Sequence, residues 1–204
     1  MSKRATAGLA GHKGLPIQTF ADRAAWEKWL AAHAESSPGV WLKLAKKANR
    51  KPTIAKTDAI EAALCFGWID GQLDRFDDAY WLVRFTPRGP RSRWSQINRE
   101  AALRLVATGK MKPAGLAEID RAKADGRWGA AYASQSKADV PEDLERALDA
   151  KPEAKAFFAT LNGANRYAIL YRLHHAKTEK TRVARIEKFV AMLARRETIH
   201  PQKA

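Results

Sequence analysis

The stretch Trp68-Ile69-Asp70-Gly71-Gln72-Leu73-Asp74-Arg75-Phe76-Asp77-Asp78-Ala79-Tyr80-Trp81-Leu82-Val83-Arg84-Phe85-Thr86 decides the fold class. Residues 68–75 and 80–86 read as two strands. The Asp77-Asp78 pair between them supplies a turn, because Asp side chains bond their own backbone and favour reversal. Upstream, Val40, Leu42 and Leu44 alternate with Trp41 and Lys43, the period-two pattern of a half-buried strand. Between these strands, Thr57 is placed to cap a helix carrying Ile60, Ala63, Leu64 and Cys65 inward, and Gly67 stops it. Further upstream, Asp22 caps a helix reaching about Ala34, with Trp26, Trp29 and Leu30 on one face.

Downstream the period turns helical. Ser95 precedes a helix with Ile97, Ala101, Leu105 and Val106, closed by Gly109, and Pro113 starts another through Leu116, Ile119 and Ala122. After a polar connection over 127–140, Pro141, Pro152 and Thr178 mark the starts of further helices, and Val183, Ile186, Val190 and Leu193 repeat at three–four spacing. The expected class is α+β: a small N-terminal helix/sheet unit followed by a C-terminal antiparallel helical unit. Its expected divisions are a disordered tail over 1–18, an α+β domain over 19–136 and a helical domain over 137–204.

The chain has 204 residues and carries 37 Lys plus Arg against 22 Asp plus Glu, a net charge of +15. The excess is uneven: residues 84–112 hold eight basic side chains and one acidic, and residues 166–188 hold seven and two. Such a field favours anionic partners, either a small anion or a polyanion such as nucleic acid. One cysteine, Cys65, excludes an internal disulfide and a multi-cysteine metal site. No apolar run is long enough to span a bilayer, and the first fifteen residues lack the apolar core of a signal peptide, so the expected setting is cytoplasmic without membrane insertion.

No phosphate-binding glycine motif and no nucleophile elbow occur. His174 and His175 are adjacent and diverge by about 100° on a helix, so no metal site is expected there, and no cofactor is expected either. The densest chemistry lies in Arg84-Phe85-Thr86-Pro87-Arg88-Gly89-Pro90-Arg91-Ser92-Arg93-Trp94-Ser95. Guanidinium groups grip carboxylate and phosphate bidentately, Trp94 offers a stacking face, and Ser95 opens a helix whose amides suit an anion. A solvated basic loop with Trp94 buried accounts for the same residues. The expected ligand pocket comprises Trp68, Asp70, Arg84, Arg88, Arg91, Trp94, Ser95 and Asn98. A second basic surface is expected at Arg166, Arg172, Lys177, Arg182 and Arg185, and the alternative reading is nucleic-acid binding through the basic faces over 84–112 and 166–188. A third reading makes the chain an enzyme using Asp70 as acid or base, but no nucleophile–base pair accompanies it.

The blocks Ala62-Ala63-Leu64-Cys65-Phe66-Gly67-Trp68-Ile69-Asp70-Gly71, Arg84 to Asn98 (RFTPRGPRSRWSQIN), Lys110-Met111-Lys112-Pro113-Ala114-Gly115 and Ala122 to Trp128 (AKADGRW) occur in order. Val140-Pro141-Glu142-Asp143-Leu144, Ala176-Lys177, Thr181-Arg182 and Arg185-Ile186 follow. Together, over about residues 20–200, they resemble the YdeI/OmpD-associated, or bacteriocin-protection, family. The resemblance implies a stress or bacteriocin-protection role and supplies no catalytic residues. The leading expectation is a non-enzymatic binding protein for an anionic ligand.

Overall fold

In the computed structural model, which describes residues 11–47, 51–133 and 138–202, the chain divides into two compact units. The first runs to Trp94 and resumes over Asn98–Ala131; the second comprises Ser95–Ile97 and the chain from Tyr132 onward. The class is α+β.

In the first unit a five-stranded sheet has the order β1 (Gly11–His12), β2 (Leu15–Gln18), β3 (Val40–Ala45), β5 (Tyr80–Pro87), β4 (Trp68–Arg75). β4 (Trp68–Arg75) and β5 (Tyr80–Pro87) form the hairpin read from sequence. Its turn is closed by the Asp77 carboxylate, which accepts from the Ala79 and Tyr80 amides at 2.8 and 2.7 Å. β3 (Val40–Ala45) pairs antiparallel with β5, so Val40, Leu42 and Leu44 share a face with Phe85, Val83 and Trp81. Against that face lie α1 (Arg23–His33) and α2 (Lys56–Cys65). Asp22 caps α1 through the Ala25 amide at 2.8 Å. α2 begins before Thr57, with Ala55 as its extended N-cap and no side-chain bond there; Thr57 is therefore inside the helix. Gly67, at φ +72°, turns the chain from α2 into β4.

The other face of the sheet corrects the reading of the N-terminus. Residues 1–10 lie outside the described residues, but 11–18, expected as disordered tail, form β1 (Gly11–His12) and β2 (Leu15–Gln18). β2 pairs parallel with β3. The His12 ring meets the Trp41 ring edge-on at 4.8 Å, and Asp74 holds His12 Nε2 at 2.9 Å and Lys13 Nζ at 2.6 Å. Trp41 is fully buried, so covering this indole is what orders the segment. Hydrogen bonds from Lys13 first, then His12, lower the Asp74 pKa to about 2. A depressed carboxylate stabilises fully above its unfolded value, near 3.9, and loses that contribution as pH falls through the folded value. We predict that the hairpin over 11–18 releases Trp41 between about pH 4 and 2, and that Asp74→Asn releases it at neutral pH. Hydrogen exchange of the Trp41 indole N–H reads both; an indole protected to the same degree in Asp74→Asn at pH 7 contradicts the latch.

Two further cores follow. One gathers Leu64, Cys65, Trp94, Ala101, Leu105 and Ile119 from the end of α2, α3 (Gln96–Ala107) and α4 (Pro113–Ala124). The other fills the second unit with Leu144, Phe158, Ile169, Leu173, Ile186, Phe189 and Leu193. It is built by α5 (Glu142–Asp149), α6 (Pro152–Ala159), α7 (Gly163–His174) and α8 (Glu179–Ala194). Asn162 and Thr178 cap α7 and α8 through the Asn165 and Thr181 amides. Asn165, 1% exposed, exchanges hydrogen bonds with the His200 backbone and fastens the C-terminal segment to α7. Ile97, Val106, Leu116 and Val183 satisfy the helical period yet are each 40% or more exposed. They sit at the margin of the apolar stripe, where one residue of offset turns a side chain by about 100°.

Candidate functional site

β5 runs into the arginine-rich loop, and the geometry there is structural. Arg88 is 4% exposed, with its guanidinium carbon 3.7 Å from the Trp94 ring centroid. Its Nη1 donates to the Arg93 carbonyl at 3.2 Å and its amide to the Gly67 carbonyl at 2.9 Å. Arg121 on α4 donates to the Arg88 carbonyl at 3.1 Å, and Arg127 to the Ser92 carbonyl at 2.6 Å. Three guanidinium groups thus fix the loop by binding its own carbonyls. A desolvated cation–π contact such as Arg88–Trp94 adds about 2 kcal/mol.

This corrects part of the expected pocket. Trp94 is buried, packed edge-on against Trp128 at 4.8 Å. Trp68 is buried in a different core, T-shaped to Trp26 and Trp29, with its indole N–H donating to the Ala34 carbonyl. Neither tryptophan offers a face to a ligand, because each is consumed in packing. Ser95 is bridged to Tyr132 in the second unit, and Asn98 is half-buried in the first turns of α3. Arg84 and Arg91 are exposed and, among the described residues, have no hydrogen-bond or ion-pair partner.

Asp70 sits where β4 bulges: Asp70 pairs with Phe85, but the next partners are Leu73 and Val83, so one residue is extra. Its carboxylate lies 3.9 Å from Lys56 Nζ. Burial raises its pKa, and Lys56, its own backbone and Arg88 pull it back. Burial likewise pushes the Cys65 thiol up, the opposite of what a nucleophilic thiolate needs.

The second expected surface is also engaged within its own unit. Arg182 forms a two-point ion pair with Asp143 and donates to the Leu173 carbonyl. Arg172 donates to the Ala168 carbonyl, Arg185 to the Arg172 carbonyl, and Arg166 covers the Phe158 ring at 5.1 Å. Lys177 remains exposed.

A concave basic site lies elsewhere in the first unit. A cleft of about 440 Å³ is lined by Arg23, Cys65, Phe66, Gly109, Lys110 and Lys112, with Glu27 at its side. Arg23 is neutralised by Glu27 and Glu61 at 2.7 and 3.3 Å. Lys110 and Lys112 are exposed, and among the described residues their ammonium groups have no partner. Their backbone is nonetheless fixed. Gly109 takes φ +67°, the Lys110 and Met111 amides both donate to the Leu105 carbonyl, and the Lys112 amide donates to the Cys65 carbonyl at 3.2 Å. Sequence alone assigns Lys110-Met111-Lys112 no site; its one signal is two lysines flanking one residue in a Gly–Pro-bounded link between helices.

Among the described residues, no helix is long and apolar enough to cross a membrane, and no three His, Cys, Asp or Glu side chains are grouped to hold a metal ion. No curated protein and no solved structure matches the chain. Two family models do. Residues 18–118 match a domain of unknown function, DUF8412, which contains the blocks 62–71, 84–98 and 110–115. The resemblance spanning residues 20–200 is therefore divided between two models, and the basic cleft lies in the first. Behind that domain, residues 137–196 match a family model described as bacteriocin-protection, YdeI or OmpD-associated.

Proposed function

We propose that the chain is a non-enzymatic cytoplasmic binding protein with a bacteriocin-protection-associated role, and that it holds a small anion in the Lys110/Lys112 cleft. The family of the C-terminal domain supports the role. The observation that carries the anion is the pair of lysines without partners on a backbone tied to the end of α2. A cleft of 440 Å³ falls within the size range of small-molecule sites, whereas solvent-exposed arginines such as Arg84 on β5 and Arg91 on the loop after it gain little from a small anion in water. Arg84 and Arg91 add to the +15 field that draws anions in. Fixing the lysine backbone before binding lowers the ordering cost of the complex.

The test is calorimetric titration of inorganic pyrophosphate into the full chain. Two charge-assisted contacts are lost in Lys110→Ala/Lys112→Ala, so affinity should fall about tenfold or more. Arg84→Ala/Arg91→Ala should change it by less than about threefold. Equal affinity in the lysine double variant and the wild type removes the reading. Binding only to DNA or RNA, with a log–log salt slope near −0.9 per phosphate contacted on a duplex, replaces it with a nucleic-acid surface.

A further inference from the structure

The second unit contains a cavity that neither family description assigns. It has a volume of about 450 Å³ and is lined by Gln96, Tyr132, Tyr167, Tyr171, His174 and Arg182 among others. A second cavity of about 410 Å³ shares Tyr132, Tyr167 and Tyr171. Three of the chain's four tyrosines therefore line one place, while all seven tryptophans belong to the other unit.

The rings are held in position. The Tyr167 hydroxyl donates to the Ala133 carbonyl at 3.0 Å, and burial together with the neighbouring Tyr132 and Tyr171 pushes its pKa to about 12, so it stays a neutral donor. The Tyr132 carbonyl accepts from the Gln96 amide at 2.8 Å. Tyr132 meets Tyr171 edge-on at 5.1 Å, Tyr167 lies 5.8 Å from Tyr171, and the His175 ring lies 4.2 Å from Tyr171.

Those separations decide the ligand class. Rings with centroids about 4.5–7 Å apart are in direct contact. No space is left between them for an ammonium group, so they make a continuous wall and not a cation cage. A wall of rings beside a cavity of ligand size suits a flat molecule that stacks on it. Around it, Gln96 brings amide hydrogen-bonding capacity, Asp139 brings a carboxylate that accepts from a donor, and the Arg182 charge is already balanced by Asp143. The edge of the ligand therefore carries a hydrogen-bond donor for Asp139. We infer that this cavity is a binding site for a planar aromatic or heteroaromatic small molecule with a hydrogen-bonding edge, separate from the anion cleft.

The experiment is ligand-observed NMR on the full chain with adenine and indole as probes and with cyclohexanol and tetramethylammonium as controls. Adenine and indole should give saturation transfer and shift the Tyr167 and His174 resonances. The controls should give neither effect. Tyr171→Ala should weaken adenine binding about tenfold, in line with the loss of one stacking surface, and Tyr171→Phe should preserve it within about threefold. If Tyr171→Ala fails to fold, Tyr171→Leu and the wild-type resonance map carry the test. Absence of adenine and indole binding, unchanged affinity without the ring, or tetramethylammonium binding as tightly as adenine each overturns the assignment. Pyrophosphate affinity is measured alongside. Its loss in the lysine variants has no bearing on adenine binding, so the two sites fail separately.

Discussion

Trp26→Ala is expected to cost the N-terminal unit about 3–5 kcal/mol, the range for removing a large aromatic from a packed core. Trp26 has no solvent exposure, and its ring meets Phe20, Trp29 and Phe85 at 5.1, 5.2 and 5.6 Å. Its indole N–H donates to the Ala59 carbonyl at 3.1 Å, so the indole also joins α1 to α2. Truncation thus opens a cavity and leaves a buried carbonyl with one bond fewer. Trp26→Phe keeps most of the apolar volume and loses the bond, and should cost less, about 1–3 kcal/mol. Since a domain is stable by only about 5–15 kcal/mol, the alanine variant approaches the unfolding threshold. Urea denaturation followed by circular dichroism measures it. A loss below about 1 kcal/mol would mean that the aromatic cluster is not the organising core.

Gly115→Ala should also destabilise the N-terminal unit, although alanine is the better helix former. Gly115 lies within α4, and a Cβ there would fall 2.5 Å from the Cys65 carbonyl oxygen and 2.7 Å from that of Leu64, and would also meet the Met111 sulfur. Two of these three atoms are backbone, so relief requires α4 to move away from the end of α2. Alanine gains about 1 kcal/mol in helix propensity over glycine. Overpacking costs about 1–3 kcal/mol and occasionally more, and contacts this short put the cost at the upper end. The net expectation is a loss of about 2 kcal/mol. Because Cys65 also lines the anion cleft and its carbonyl holds the Lys112 amide, pyrophosphate affinity should fall with stability. An unchanged or raised urea midpoint would contradict the close approach of the two helices.

The features behind these two effects are legible in the sequence to different degrees. The β4–β5 hairpin, β3 and the helix starts at Asp22, Pro113, Pro152 and Thr178 follow from local chemistry, which the chain states residue by residue. The strands over 11–18 do not, because their order depends on Trp41 and Asp74, distant in sequence and near only once the sheet exists. The expected pocket departed from the structure for a related reason. Arginine and tryptophan in one loop describe an anion site and a self-stapled loop equally well. Which of the two forms depends on carbonyl partners, such as those of Gly67 and Arg88, supplied by tertiary contacts. The lysine cleft needs α1, the end of α2 and the α3–α4 link together, and no window of sequence contains all three. The tyrosine wall joins Tyr132 to α7 across about thirty-five residues in the same way.

The most direct measurement is an amide-resolved NMR titration of the full chain with inorganic pyrophosphate. The account predicts saturable shifts concentrated at Gly109, Lys110 and Lys112 and at Cys65 and Phe66, with little change over Arg84–Ser95. Shifts centred on the arginine loop instead, or no saturable shift anywhere, would contradict it.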